Sequence, residues 1–309
     1  METLARISTL RGTAAALYGL SHGRRALLSV AQPALGALLA AGGFPDLRTV
    51  GLGLVAATAG MLCVYAANDL LDVDVDREAA RLSVPGSSAG SDGSVAPLRT
   101  RPLARGLLSE RVAVVWIAGL GVVAFGAAYA LRPGCALIFL ACAALEVLYC
   151  ALKRTTWLKT VPAGVLIGLG GTAGWYAVRD LDGGALLFFF LLATWEIFGR
   201  NLSNDLADLS LDAPLGIRTL ATAGGPRWSA RACFAGAVAI LPVAAAQPAG
   251  WLLRSLLVTV AAWAMTLPAV GLLRRPEESV AQAYFDRASL FPPLAFAVAT
   301  IFFALRSGT

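Results

Sequence analysis

Charge is scarce in this chain: Asp, Glu, Lys and Arg together make up 14% of its 309 residues, and histidine occurs once, at His22. A soluble domain carries about a quarter of its residues as charges. With 58% apolar residues and a mean hydropathy of +0.71, a soluble fold is excluded and an integral membrane protein is expected. The five cysteines, Cys63, Cys135, Cys142, Cys150 and Cys233, have no CxxC spacing, which leaves them as small apolar packing residues. His22 stands beside Arg24 and Arg25 ahead of the first apolar run and reads as an interfacial residue rather than a catalytic one. Met1 to Arg25 lacks the continuous apolar core and small-residue site of a cleavable signal, so 1–25 is expected to remain as a cytoplasmic N-terminal segment.

What is present is a series of apolar runs long enough to cross a bilayer. They fall at about 27–43, 49–67, 112–131, 134–152, 160–178, 184–203, 232–247, 250–272 and 288–305, which makes nine expected spans. With the N-terminus cytoplasmic, twenty of the 25 Lys and Arg residues fall on one side. That bias sets the orientation and attracts anionic headgroups or a phosphorylated substrate. It does not indicate nucleic acid.

Against this apolar background one phrase occurs twice: NDLLDVDVD from Asn68 to Asp76, and NDLADLSLD from Asn204 to Asp212. The two hold seven of the nineteen acidic residues, and both fall on the cytoplasmic side. On a helix, carboxylates at i, i+3 and i+7 project from one face over about 10 Å. Such a triplet repels itself unless a cation neutralises it, and oxygen ligands at this spacing suit Mg²⁺, which completes its shell with phosphate oxygens. Two triplets together would hold a diphosphate between metal ions.

The polar residues lie in two expected cap loops, 70–111 and 204–231. The first contains a Gly/Ser/Pro-rich stretch, Val84 to Pro97, that is expected to be mobile. Placing one motif after the second span and the other after the sixth suggests a repeated helix unit. Ionisable residues inside spans normally face the bundle interior. Glu146, Tyr149 and Lys153 share one helix face by their spacing, as do Glu196, Arg200 and Asn204. A Lys at a cavity rim can contact phosphate while Tyr donates a hydrogen bond. Glu196 and Arg200 read equally well as a helix-stabilising pair.

These residues together resemble the UbiA superfamily of intramembrane prenyltransferases. Asn68-Asp69-x-x-Asp72-x-x-x-Asp76 is similar to its NDxxDxxxD motif and Asp205-x-x-Asp208-x-x-x-Asp212 to its DxxDxxxD motif. Arg101-Pro102-Leu103 with Gly106 and Ser109, Tyr149-x-x-x-Lys153, and Gly216-Ile217-Arg218-Thr219-Leu220 resemble its RPLxxGxxS, YxxxK and GxKTL segments, the last with Arg for Lys. The resemblance covers nearly the whole chain. It implies an all-α integral membrane protein, a single domain over 1–309, with about nine transmembrane helices around a central cavity under a cytoplasmic cap.

It further implies that Asn68, Asp69, Asp72 and Asp76 bind one Mg²⁺ and Asp205, Asp208 and Asp212 a second. Arg77, Arg101, Tyr149, Lys153 and Arg218 would contact the diphosphate, and Asn201 and Asn204 count with them as substrate-binding residues. Asp72, Asp76, Asp208, Asp212 and Lys153 would carry catalysis. Asp74 lies outside the pattern. The implied reaction ionises an allylic diphosphate and transfers its prenyl group to an acceptor, most simply an aromatic ring, inside an apolar tunnel that excludes water. Trp175, Tyr176, Trp195 and Phe188 to Phe190 read as packing or interfacial anchors, with ring-face stabilisation of a cation as the alternative.

Two other outcomes of the same ionisation remain open: intramolecular quenching, as in a membrane terpene cyclase, and transfer to a phosphorylated sugar. A transporter would need charges along a path through the membrane, whereas here they cluster at one face. High Arg over Lys with Ala/Gly-rich spans suits a high-GC bacterial genome, and the bacterial plasma membrane, with the active site on its cytoplasmic side, is the expected location. The expected partners are a prenyl diphosphate, a hydrophobic or aromatic acceptor and membrane lipids; the sequence does not report the oligomeric state.

Overall fold

The computed structural model describes residues 12–82 and 101–307. The Val84 to Pro97 stretch expected to be mobile lies outside the described residues. Everything regular among those residues is helical. Helical residues 12–20 lead into α1 (Gly23–Ser29) and α2 (Ala31–Ala41). Eight helices are long and apolar enough to cross a membrane: α3 (Leu47–Leu71), α5 (Glu110–Leu131), α6 (Pro133–Leu152), α7 (Trp157–Val178), α8 (Gly183–Ala207), α11 (Pro226–Ala245), α12 (Trp251–Arg274) and α13 (Glu278–Ser307). Short helices α4 (Val73–Leu82), α9 (Leu209–Asp212) and α10 (Leu220–Gly224) lie between them.

Eight of the nine expected spans are each met by one such helix among the described residues, and the remaining one, at 27–43, is met by the shorter pair α1 and α2. The run at 27–43 is broken at Val30, because Pro33 has no N–H to return to Ser29 and the chain restarts as a second, shorter helix. The remaining boundaries follow local chemistry. Asp46, Ser109 and Asp182 cap the starts of α3, α5 and α8 by accepting backbone N–H bonds at 3.0, 3.4 and 3.0 Å. Pro133 and Pro226 open α6 and α11, where a missing N–H costs nothing.

Packing runs in chain order, α3 on α5, α5 on α6, α6 on α7 and α7 on α8, then α8 on α11, α11 on α12 and α12 on α13. The broken pair closes the ring, with α2 packed on α7 and on α13. Close approach there depends on small residues, as in other membrane helix pairs. A Cβ on Gly36 would stand 2.7 Å from the Gly171 carbonyl oxygen, and one on Gly174 would run into the Pro33 carbonyl.

The main apolar core joins α2 and α7 to the second half of the chain, around Trp175, Phe188, Trp195 and Phe291. Only 17–22% of the apolar windows of α3, α5 and α6 is buried, against 33–50% for the later five spans. Those three helices therefore present apolar faces outward, as a lipid-facing wall does. Trp157, Trp228 and Trp251 are exposed near helix ends, where an aromatic belt is expected.

Candidate active site at the ends of helices α3 and α8

The two Asp phrases fold the same way. Each begins in the last turn of a long helix and bends at its second aspartate: φ −94°, ψ 2° at Asp72 and φ −98°, ψ 13° at Asp208. The backbone ladder continues through both bends. Asp72 and Asp208 donate to the Asn68 and Asn204 carbonyls at 2.9 Å, and Asp76 and Asp212 donate to Asp72 and Asp208 at 2.9 and 2.8 Å. The segments expected as cap loops are thus helical where they carry the carboxylates, and the repeat suggested by the sequence extends to backbone geometry.

One cavity of about 670 Å³ is lined by Asn68, Asp72 and Asp76 from the first phrase and by Asn204, Asp205, Asp208 and Asp212 from the second. Arg101, Glu146, Tyr149, Lys153, Glu196, Arg200 and Asn201 line it as well, so most of the sequence-derived site residues come together. Arg101 is carried by a tight turn that Leu103 anchors in an apolar cluster and that Gly106, at φ 68°, completes.

Each polar wall is pre-paired. Lys153 holds Asp72, Arg101 holds Asp76, and Lys159 holds Asp205 at 2.7 Å. Both lysines stand over the Tyr149 ring, 4.7 and 5.4 Å from its centroid. Glu146 accepts from Asn68 at 2.6 Å, Asn204 donates to Asp208 at 2.8 Å, and Glu196 accepts from Arg200 at 3.1 Å and from Asn201 at 2.7 Å. That last trio exists because Trp195–Asn201 forms a π-helical turn, which brings residues four and five apart onto one carboxylate.

The carboxylates outnumber their cations. Lining groups comprise seven carboxylates (Asp72, Asp76, Glu146, Glu196, Asp205, Asp208 and Asp212) against five cations (Arg25, Arg101, Lys153, Lys159 and Arg200). Burial, then the Asp205 charge, pushes Asp208 up to about 6. Burial followed by Asp205 and Asp208 pushes Asp212 up to about 8. Burial works against the charge on Lys153, yet Tyr149 and Asp72 outweigh it and hold its pKa above the usual lysine value.

Three sequence-derived residues point elsewhere. Asp69 does not line the cavity; it is buried and accepts a 2.9 Å bond from His22, which sits at a left-handed φ of 43°. Arg77 faces outward and pairs with Asp74 at 3.3 Å and Glu110 at 2.9 Å. Arg218 has an exposed side chain, and it is the backbone N–H of this residue that reaches the site, donating to the Lys153 carbonyl at 2.8 Å. Trp175, Trp195 and Phe188 pack in the core, so the packing reading of these rings holds; Phe44, Tyr65, Phe139, Tyr149, Phe285 and Phe296 are the rings that line the cavity. Sequence reasoning missed Lys159 and Arg25 as cavity-lining residues, and His22 as the partner of Asp69. For Lys159 a signal existed, since it is a lysine in the first turn of an apolar span.

The donor set accommodates a hard divalent ion by chemistry: every acidic donor is a carboxylate oxygen, and Asp205 Oδ2 is buried with no partner. Among the described residues no three acidic, His or Cys groups converge into a ready-made cage. Mg²⁺ needs none, because it keeps waters and takes substrate oxygens.

Away from the carboxylates the cavity is apolar. Its wall on α3 includes Thr49, Gly53, Ala57, Gly60, Met61 and Val64 at helical spacing, down from Asn68 and Asp72. At about 1.5 Å per residue this face is roughly 34 Å long. The tunnel thus has a charged mouth and, from Val64 to Thr49, an apolar length of roughly 22 Å.

Comparison with known proteins gives a consistent answer. The model of the UbiA prenyltransferase family matches residues 29–304. A digeranylgeranylglyceryl phosphate synthase of Methanoregula boonei is 32% identical over 166 residues, which are 50% of this chain and 57% of that one. A 4-hydroxybenzoate octaprenyltransferase of Aromatoleum aromaticum is 29% identical over 202 residues, 64% of this chain and 63% of that one. The matched region therefore spans less than two thirds of either relative. Among solved structures, the apo structure of a UbiA homolog from Aeropyrum pernix K1 superposes with a TM-score of 0.71 at 20% identity, over 90% of this chain and 98% of that one. A UbiA homolog from Archaeoglobus fulgidus bound to GPP and Mg²⁺ gives 0.62 at 18% identity, over 92% and 99%. With a family model matched over most of its length, the chain is an integral membrane protein that belongs to the UbiA prenyltransferase family.

Proposed function

We propose that this protein transfers a prenyl group from a prenyl diphosphate to an acceptor, an aromatic ring by preference, at the cytoplasmic side of a bacterial plasma membrane. The observation that carries the reading is the meeting of both Asp phrases at the charged mouth of one apolar tunnel. Carboxylates outnumber cations around the mouth, which favours entry of a diphosphate together with divalent cations. Asn68, Asp72 and Asp76 would hold one Mg²⁺ and Asp205, Asp208 and Asp212 the other; the bound ions supply Lewis-acid stabilisation of the departing diphosphate.

The chain's own residues do the rest. Lys153, Lys159 and Arg101, paired with Asp72, Asp205 and Asp76, are the cations placed at the mouth to contact phosphate oxygens. The Tyr149 ring keeps both lysines aimed inward. Apolar walls hold the tail and exclude the water that would trap a carbocation as an alcohol. Support for an aromatic acceptor comes from the relative named for 4-hydroxybenzoate, whereas the relative named for a glyceryl phosphate product favours a phosphorylated one; support for Mg²⁺ comes from the GPP complex of the Archaeoglobus homolog.

The test is to supply detergent-purified protein and Mg²⁺ with geranyl, farnesyl and geranylgeranyl diphosphates, with and without aromatic or phosphorylated acceptors. Diphosphate release that waits for an aromatic acceptor and yields its prenylated product is the expected result. Rapid release without acceptor, giving a cyclised hydrocarbon or alcohol, would overturn it in favour of a cyclase.

A further inference from the structure

The second Asp phrase rests on very little helix of its own. α9 is a single turn, Leu209–Asp212, set between the bend at Asp208 and Ala213, and it carries Asp212 at its end. A lone turn lacks the cooperativity that holds longer helices, and its first N–H groups have no intrahelical acceptor. The first phrase is better supported. It runs into the ten residues of α4, which Arg77 ties to Glu110 at 2.9 Å and Glu78 ties to Arg154 at 2.6 Å.

What steadies the second phrase comes from 68 residues further along the chain. Glu278, in the first turn of α13, accepts the Ser210 backbone N–H at 2.8 Å on Oε1 and the Ser210 hydroxyl at 2.9 Å on Oε2. Two charge-assisted bonds to one residue fix its orientation as a single bond would not. Ser210 lies midway between Asp208 and Asp212 in the phrase. In the first phrase the same place is held by Asp74, whose side chain is exposed and pairs locally with Arg77 at 3.3 Å. The part of α13 behind Glu278 is itself pinned to α8: Trp195 donates to the Ala288 carbonyl at 2.7 Å and Tyr284 to the Phe198 carbonyl at 3.3 Å. Glu278 does not line the cavity, yet its charge reaches the site, adding to burial and Asp205 in raising the Asp208 pKa. A carboxylate so placed strengthens the field that draws a cation without occupying a ligand position.

We propose that Glu278 is a positioning residue for the second cation site, holding the turn of Asp208 and Asp212 in place from outside the cavity and lending its charge to the same end. The cation's part in this rests on the prenyl-transfer reading; the grip on Ser210 does not.

Hydrogen exchange read by mass spectrometry, on the full chain in detergent without Mg²⁺, tests the grip. Glu278→Ala should speed exchange over 209–212 about fivefold or more and leave 73–82 unchanged. Glu278→Gln, which keeps one accepting oxygen, should fall in between. Glu277→Gln, which removes a neighbouring charge outside the pair, should match wild type. Binding of geranylgeranyl diphosphate at varied Mg²⁺ then reads the site. Glu278→Ala should raise the Mg²⁺ needed for half-saturation about threefold or more, while the amount bound at saturating Mg²⁺ stays that of wild type, a separation that general unfolding would not give. Wild-type exchange in Glu278→Ala, an equal rise in Glu277→Gln, or an unchanged Mg²⁺ requirement would overturn the proposal. Wild-type protein that protects 209–212 but binds no diphosphate at any Mg²⁺ concentration would count against the prenyl-transfer reading instead.

Discussion

Asp69 belongs to the first motif by spacing but to the fold by contact. Its side chain is buried, accepts from His22 and lies outside the cavity wall, whereas Asp205, at the equivalent place in the second phrase, lines the cavity and is held by Lys159. The His22 contact ties the N-terminal segment to the end of α3. His22→Ala and Asp69→Ala should therefore produce the same loss of thermal stability, about 1–3 kcal/mol, and the double variant should lose no more than either single one. Melting temperatures of the three variants check this; additive losses would contradict it. The carboxylates themselves were legible because each stands out against apolar sequence at helical spacing. Direction was not legible: a motif match gives the identity of Arg77 and Arg218, but the pairing of Arg77 with Asp74 and Glu110, and the exposure of Arg218, depend on how neighbouring helices end. His22 and Arg25 were missed for the same reason, since their partners lie 47 and 175 or more residues away in sequence.

At the scale of elements, apolar periodicity located the spans because a membrane leaves a helix as the usual way to satisfy every backbone group. It could not show the break at Val30, where the apolar run is unbroken and only Pro33 disturbs it. Nor could it show the π turn at Trp195–Asn201, which depends on packing rather than composition. The α2–α7 contact permits a clean comparison. Gly174→Ala pushes a methyl group into the Pro33 backbone, while Gly170→Ala, one turn earlier, meets open space. The first should cost about 1–3 kcal/mol or prevent recovery of monodisperse protein, and the second should leave the melting temperature unchanged. Equal behaviour of the two would mean that α2 does not pack on α7 as described.

The whole molecule is a charged mouth on an apolar tunnel, and the tunnel's length carries a prediction about the donor. From Asn68 to Gly53 along α3 is roughly 22 Å, and from Lys159 to Gly170 along α7 roughly 16 Å. An isoprene unit of four carbon–carbon bonds extends about 5 Å. The wild-type protein should accept a twenty-carbon donor at least as well as a ten-carbon one. Gly170→Phe should reject chains beyond about fifteen carbons, and Gly53→Phe only those beyond about twenty to twenty-five. Comparing kcat/KM across the donor series tests this; an unchanged profile in both variants would place the tail elsewhere. The central claim is that the two Asp phrases, 136 residues apart, act as one site. Single-turnover diphosphate release with Mg²⁺ and acceptor, in wild type, Asp72→Ala, Asp208→Ala and the double variant, tests it most directly. One shared site predicts that each single variant loses about 100-fold or more and that the double loses little beyond that. Substantial activity in either single variant, or losses that multiply in the double, would contradict it.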